Sequence, residues 1–271
     1  MTVLALPDKA LTTAVQGLPD NALSANREAA LARFLERGFP TTRLEDWKYT
    51  DLAAVADISQ RWLENGAPVS SAEPVSDRVA AIRAAIDIDW IVISNGAIAD
   101  GMDLAGKDGL SIATFSELAH APGFEHPLAD LNAALLPDGL HIRVHAGTSR
   151  DRPLGLLIVD GADSQPGVAQ ARIFIELEEG SQAQFVEYHA STGTADHYAN
   201  HIAELELGNH SHVDYVRVQE RASNHSQTGR LSVVAGRDSE FNHCAFDLGG
   251  RLVRSDLHVD ISQPGSTVEF N

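Results

Sequence analysis

Gly180-Ser-Gln-Ala183-Gln-Phe185, Gly208-Asn-His-Ser211-His-Val213, Gly236-Arg-Asp-Ser239-Glu-Phe241 and Gly265-Ser-Thr-Val268-Glu-Phe270 are four versions of one phrase. The glycines recur at intervals of 28, 28 and 29 residues. A repeat of this length is the mark of a solenoid or a propeller. Glycine suits a turn at positive φ, and strand side chains alternate, so the third and fifth residues beyond it share a face. Stacked coils would then align Ala183, Ser211, Ser239 and Val268 beside Phe185, Val213, Phe241 and Phe270. A parallel β-helix does this. A β-sandwich with strands about every ten residues is the competing fold, and the near-constant register favours the solenoid.

The surroundings of the phrase agree. From Leu140 onward, runs such as His141–His145, Ile173–Glu178, Ile202–Leu207 and Leu257–Ile261 alternate and are separated by Gly and Asn turns. The chain therefore divides into a mostly helical region, 1–135, and a β-helix, 136–271. In the first region a helix is expected over Ser24–Arg37, with Ser24 as N-cap, Gly38 as stop and Pro40 beyond. A second is expected over Ser76–Ile86, burying Val79, Ile82 and Ile86 with the Arg83 stem. Asn65–Pro74 reads as loop, Trp90–Ser94 as a buried strand turned by Asn95-Gly96, and 113–136 as holding one more helical piece.

Composition narrows the function. The 271 residues carry 20 basic and 38 acidic side chains, net −18, split evenly at −9 in each half. No basic run offsets this, which argues against nucleic acid and acidic lipid surfaces as partners. The apolar stretches Trp90–Ile93 and Leu154–Val159 are far too short to span a bilayer, and Met1–Leu18 has no signal-peptide pattern. One cysteine excludes a disulfide framework and an all-Cys metal site within the chain, and suits a reducing cytoplasm. There is no P-loop, Gly-x-Gly-x-x-Gly, Gly-x-Ser-x-Gly or His-Glu-x-x-His sequence.

Several residue types have chemical potential. Cys244 follows His243, but neighbours on a strand face opposite ways, so they form no dyad. In the repeat register Cys244 stacks on Val216 and Tyr188, an apolar column, which makes core packing the first reading and a ligand thiol the second. All twelve histidines lie at or after His120. His197 and His201 have metal-ligand spacing on a helix, but on a strand they stand about 13 Å apart. His210 and His212 on a turn could chelate weakly; exposed turn histidines are the simpler expectation. Thr41–Leu52 packs Trp47 and Tyr49 among alternating charges, and reads as a structural loop that buries both rings and pairs Arg43 with Glu45 or Asp46, or as a partner contact.

That loop also carries a resemblance. Arg43-Leu-Glu-Asp-Trp-Lys-Tyr-Thr50 resembles the N-terminal signature of the SufB/SufD family of iron–sulfur cluster assembly proteins. Gly236–Phe241 with Leu248-Gly-Gly-Arg-Leu-Val-Arg-Ser-Asp-Leu257, and Asn200–Gln219, are similar to that family's core. The resemblance implies a mainly β fold, a right-handed parallel β-helix with an N-terminal helical region. It implies a non-catalytic scaffold in the cytoplasm, acting with SufB-like and SufC-like subunits, with ATP handled only by the partner ATPase; the alternatives are a secreted-type β-helix enzyme acting on polysaccharide, which the charge of −18 and the missing signal peptide oppose, and a plain protein-binding solenoid. Any iron–sulfur cluster would be held transiently with a partner, none by this chain alone. No catalytic, cofactor-binding or metal residue is assigned. Family members are expected to continue into further coils and a helical domain with the SufC contact, whereas this chain stops at Asn271. A stacked-coil end bearing Val268 and Phe270 is expected to form a homodimer, aggregate, or be covered by a partner.

Overall fold

The computed structural model describes residues 4–68, 77–119 and 127–271. In chain order it has helices α1 (Asp8–Gln16), α2 (Ser24–Arg37), α3 (Ala53–Glu64) and α4 (Asp77–Ala85), then strands β1 (Asp89–Ser94), β2 (Ala97–Asp100) and β3 (Leu110–Thr114). Helices α5 (Phe115–Leu118) and α6 (Pro127–Leu135) follow. The remaining strands are β4 (Leu140–Val144), β5 (Leu154–Gly161), β6 (Gly167–Leu177), β7 (Gln182–Thr192), β8 (His197–Leu207), β9 (His212–Glu220), β10 (His225–Ala235), β11 (Glu240–Asp247), β12 (Leu252–Asp260) and β13 (Thr267–Phe270).

From β4 onward, successive strands alternate between two sheets. One runs β13-β11-β9-β7-β5-β1-β2 and the other β12-β10-β8-β6-β4-β3. Every pairing is parallel except β1 with β2 and β3 with β4. The result is a parallel β-helix of about four turns with helices at its N-terminal side. The sheets also take in β1 and β3, upstream of residue 136.

The expected columns need a correction in register. Ala183 aligns with Val213, Phe241 and Val268, and Phe185 aligns with Tyr215, His243 and Phe270. The glycines of the repeated phrase occupy two different places in the turn. Gly180 (φ 66) and Gly265 (φ 79) take the left-handed position, but in the two turns between them His210 (φ 58) and Asp238 (φ 53) take it. Gly208 and Gly236 lie two residues earlier, where a Cβ would meet the carbonyl oxygen of Leu177 at 2.7 Å or of Leu207 at 2.4 Å. The constant feature is the serine. Ser181, Ser211 and Ser239 donate their hydroxyls to the carbonyls of Glu178, Gly208 and Gly236 at 2.7, 2.8 and 2.8 Å, closing each turn. These serines belong to the turns, not to an interior column.

Helix α2 has the expected bounds. Leu23, not Ser24, is the cap residue. The Ser24 hydroxyl instead accepts from Asn21 N at 3.1 Å and donates to Asp20 Oδ1 at 2.8 Å, tying the first turn to the preceding loop. Helix α4 buries Val79 and Ile82 as expected. Ser76 and 69–74 of the expected loop lie outside the described residues, as do 120–126 of the last helical piece. α1, α2, α3 and α6 form an apolar cluster with Tyr198 on the outer face of the six-stranded sheet. Asn132 of α6 fixes that docking, donating to the carbonyls of Ala171 and Asn200, both at 3.0 Å.

Tyr49 does not bury its ring; it is 92% exposed, while Trp47 is 3% exposed. Trp47 packs beneath Arg254 of β12, whose guanidinium carbon lies 3.9 Å from a ring centroid. The cation that orders this loop comes from the far end of the chain.

Candidate functional site

The interior of the solenoid has two halves. Near the serine turns it is apolar, filled by Ala183, Phe185, Val213, Phe241, Leu207, Val233 and their neighbours. Toward the opposite turns the same inward phase brings polar groups. On β7, Phe185, Glu187 and His189 share one face because they are two residues apart. On β8 that face carries His197 and His201, on β10 His225 and Gln227, and on β5 Asp160. A cavity of about 230 Å³ lies among Glu187, His189, His201, Arg217, Gln227 and His243.

Two ionic groupings meet there. Asp160 and Arg221 are both fully buried and joined at 2.6 Å. His201 Nε2 lies 3.1 Å from the same carboxylate oxygen and 2.9 Å from Arg221 Nη2. Arg221 also donates to Gln227 Oε1 at 2.7 Å and to the Ala190 carbonyl. Burial alone would raise the Asp160 carboxyl, but Arg221 and then His201 outweigh it and hold it well below the usual carboxylate range. In the second grouping Glu187 accepts from the Tyr215 hydroxyl and contacts His189 Nε2. Burial raises the Glu187 carboxyl, while His189 and Tyr215 lower it further, to about 2. The two groupings touch where the His189 and His201 rings meet edge to face, centroids 4.8 Å apart.

Desolvation keeps His189, His197 and His225 neutral. It is the main cause lowering His189 and His225 to about 4 and His197 to about 3. His197 and His225 stack on adjacent strands at 5.2 Å. With Glu187 ionised, neutral His189 carries its proton on Nε2, which leaves Nδ1 as an acceptor lone pair. That atom and Nδ1 of His201 have no protein partner. The cavity combines these polar groups with apolar walls such as Ile158, Ile173 and Leu231, and a water held by the polar groups satisfies such atoms. His197 and His201 are thus interior, while His210 is exposed on its turn and His212 is half-buried. Of the turn pair, His210 faces Asp238 at 3.8 Å, and His212 pairs with Glu240 at 2.8 Å and Asp214 at 3.2 Å.

Among the described residues no group of three or more His, Cys, Asp or Glu could hold a metal ion. His197 and His201 share the inward face of β8 but engage different partners, as the strand reading requires. Cys244 does align with Val216, but the next residue in the column is Val186, not Tyr188. The column faces outward and Cys244 is half-buried, so the thiol is neither interior filler nor part of the buried cluster. The sequence reading missed Asp160, Glu187, His189 and Arg221. The signal available was phase: Glu187 and His189 continue the inward phase of Phe185.

No helix among the described residues is long and apolar enough to cross a membrane. Residues 158–271 match the SufBD core domain of the SUF iron–sulfur cluster assembly system, and residues 11–67 match the SufBD N-terminal region. The chain is 25% identical over 267 residues to the iron–sulfur cluster assembly protein SufD of Escherichia coli, covering 92% of this chain and 58% of that protein. It is 22% identical over 291 residues to a SufBD family iron–sulfur cluster assembly protein of Synechocystis, covering 94% of this chain and 60% of that one. The chain therefore spans about three-fifths of the length of the curated relatives it matches. With both family regions matched in order, over residues 11–67 and 158–271, the chain belongs to the SufBD family of iron–sulfur cluster assembly proteins.

Proposed function

We propose that this chain is a non-catalytic scaffold subunit of a cytoplasmic iron–sulfur cluster assembly complex, acting with a SufB-like subunit and a SufC-like ATPase. The observation that carries the reading is the junction of the two matched regions. The N-terminal loop around Trp47 is pinned by Arg254, inside the core region, so the two matched regions are in direct contact. The ligand inventory supports a scaffold that shares its cargo. The single thiol faces outward, away from the buried histidines, and a cluster takes about four protein ligands. A cluster handled by this subunit would therefore draw ligands from a partner, and ATP would be bound by the partner ATPase.

Affinity purification of the full-length protein from its own cells tests the reading. Recovery of SufB-like and SufC-like subunits in fixed stoichiometry is the expected result; recovery of neither overturns it. Anaerobic reconstitution of the isolated chain, followed by absorbance and iron and sulfide content, tests the shared-ligand part. A stable stoichiometric cluster in a monomer would contradict it.

A further inference from the structure

The outer face of the seven-stranded sheet is covered over only part of its width. Helix α4 lies across β1, β5 and β7, where Val79 and Ile82 pack with Trp90, Val92, Leu157, Val159 and Ala190. The same outward rows continue onto β9 and β11, where no helix among the described residues lies over them. Val186 leads to Val216 and Cys244, and Tyr188 leads to Val218 and Phe246. Val216, Val218 and Cys244 are half-buried and Phe246 is 49% exposed. A groove of about 380 Å³ lies here, with Val186, Val216 and Cys244 on its floor and Gln184, Asp214 and Asn242 along one side.

The polar side is fixed in place. Asp214 accepts from Asn242 Nδ2 at 3.0 Å and from Gln184 Nε2 at 3.2 Å. The Asn242 bond is the main cause holding the Asp214 carboxyl below its ordinary value. Glu240 and Glu269 stand at outward positions on β11 and β13 beside it. His212 bridges Asp214 and Glu240 and is the basic group on this edge. Glu220, at the α4 end, is already paired with Arg78. The groove thus has an apolar floor and one carboxylate edge.

We infer that this groove docks an amphipathic helix of a partner protein whose apolar face is flanked by Lys or Arg. Helix α4 shows that a helix lies well on this face, and two strand spacings, about 10 Å, match a helix diameter. The floor accepts a hydrophobic stripe, and the Asp214, Glu240 and Glu269 edge selects its cationic flank. A second copy of this chain would bring another surface of net −18 to the same edge. The inference stands apart from the proposed assembly role, since it rests only on this face.

Cys244, the chain's single cysteine, reports occupancy of the floor directly. The probes are two synthetic helical peptides with the same Leu face, one flanked by Lys and one by Glu. Iodoacetamide alkylation of Cys244 in the intact chain should slow at least about fivefold at saturating Lys peptide and stay unchanged with the Glu peptide. In anisotropy titrations Val216→Asp should abolish Lys-peptide binding and Asp214→Asn should weaken it about fivefold, while Asp103→Asn, on a distant surface, leaves it unchanged. Equal protection by both peptides or no protection by either overturns the proposal without relying on a variant's fold, and indifference to Asp214→Asn overturns it as well. Protection that grows with chain concentration alone, with no peptide, identifies a second copy as the occupant and also overturns it.

Discussion

Arg254 stacks on Trp47 across 207 residues of sequence, its guanidinium carbon 3.9 Å from a ring centroid. The same side chain donates to the Asp46 carbonyl at 2.7 Å and Thr50 Oγ1 at 3.1 Å, and pairs with Asp256 at 2.9 Å. One planar cation therefore sits over an aromatic ring and also satisfies the backbone of the loop that holds the ring. Arginine does this and lysine does not, because only the guanidinium offers a flat face and a fork of donors together. The contact joins the N-terminal helical region to β12, and so links the two segments that identify the family.

The first prediction follows from that geometry. Arg254→Ala should destabilise the chain by about 1.5–3 kcal/mol, the range for charge-assisted bonds and a partly desolvated cation–π contact. A double-mutant cycle with Trp47→Leu should give a coupling of about 1 kcal/mol, and Arg254→Lys should recover little of the loss. Urea unfolding followed by tryptophan fluorescence measures all three; additive single effects would show that the stack carries no energy.

Asp160→Ala should be among the most damaging substitutions in the β-helix. It leaves the fully buried Arg221 without its carboxylate, at a cost of about 3–5 kcal/mol. Removing both charges as Asp160→Leu with Arg221→Met should cost less than Asp160→Ala alone. Thermal unfolding of the three variants decides this, and a double variant worse than the single would refute the desolvation argument.

The buried imidazoles make the fold sensitive to acid. His189, His225 and His197 titrate in the folded chain at about 4, 4 and 3, because burial disfavours their charged form. Unfolded, each titrates near 6.5. The unfolded state then binds more protons below pH 6.5, so stability is full above that value. It falls as pH drops from about 6.5 through 4, by up to about 4 kcal/mol per unit for three imidazoles. Glu187, lowered to about 2, extends the loss below pH 4. His189→Asn should reduce the slope between pH 6 and 4.5 by about one proton. Urea midpoints across this range give the slope, and a flat profile would contradict the neutral-imidazole assignment.

Much of this architecture is legible in the residues. The bounds of α2 follow from Leu31 and Phe34 in helical phase and from Gly38 behind them. The solenoid follows from the Gly-rich turns and the alternating strands between them. The register does not follow, because glycine serves two turn positions for two reasons: Gly180 for its backbone conformation, and Gly208 for the carbonyl of the coil beneath it. Aligning glycine on glycine therefore shifts a column by two residues. The interior polar cluster was hidden for another reason. Phase shows that Glu187 and His189 point inward, but their partners Tyr215, His201, Asp160 and Arg221 come from other coils and from the facing sheet. The exposed Tyr49 and buried Trp47 look alike in sequence; only the distant Arg254 separates them.

Cys244→Ser tests the outward placement of the thiol. A half-exposed position lets the new hydroxyl reach water, so the change in stability should stay within about 0.5 kcal/mol. A buried apolar column would instead cost about 1–3 kcal/mol. Chemical denaturation separates the two ranges.

The turns allow a paired test of the corrected register. Gly236→Ala places a methyl 2.4 Å from the carbonyl oxygen of Leu207 and 2.8 Å from the carbonyl carbon of Gly208, so the stacked coils must move apart. The loss should be about 1–3 kcal/mol, the cost of forcing packed backbone. His210 is the opposite case: a residue with a Cβ in the left-handed region at φ 58, on an exposed turn. Its ion pair with Asp238 spans 3.8 Å and is solvent-exposed, so it contributes little. His210→Gly relieves about 1–2 kcal/mol of backbone strain and returns part of it as chain entropy, for a net gain of about 0.5 kcal/mol. If each glycine of the repeated phrase occupied the same turn position, Gly236→Ala and Gly180→Ala would lose stability alike. In the observed register they differ, because an added Cβ at Gly180 meets nothing within 4 Å and only its φ of 66 opposes the change. Melting temperatures of Gly180→Ala, Gly236→Ala and His210→Gly should therefore rank in the order His210→Gly, Gly180→Ala, Gly236→Ala, from highest to lowest, and any other order contradicts the register.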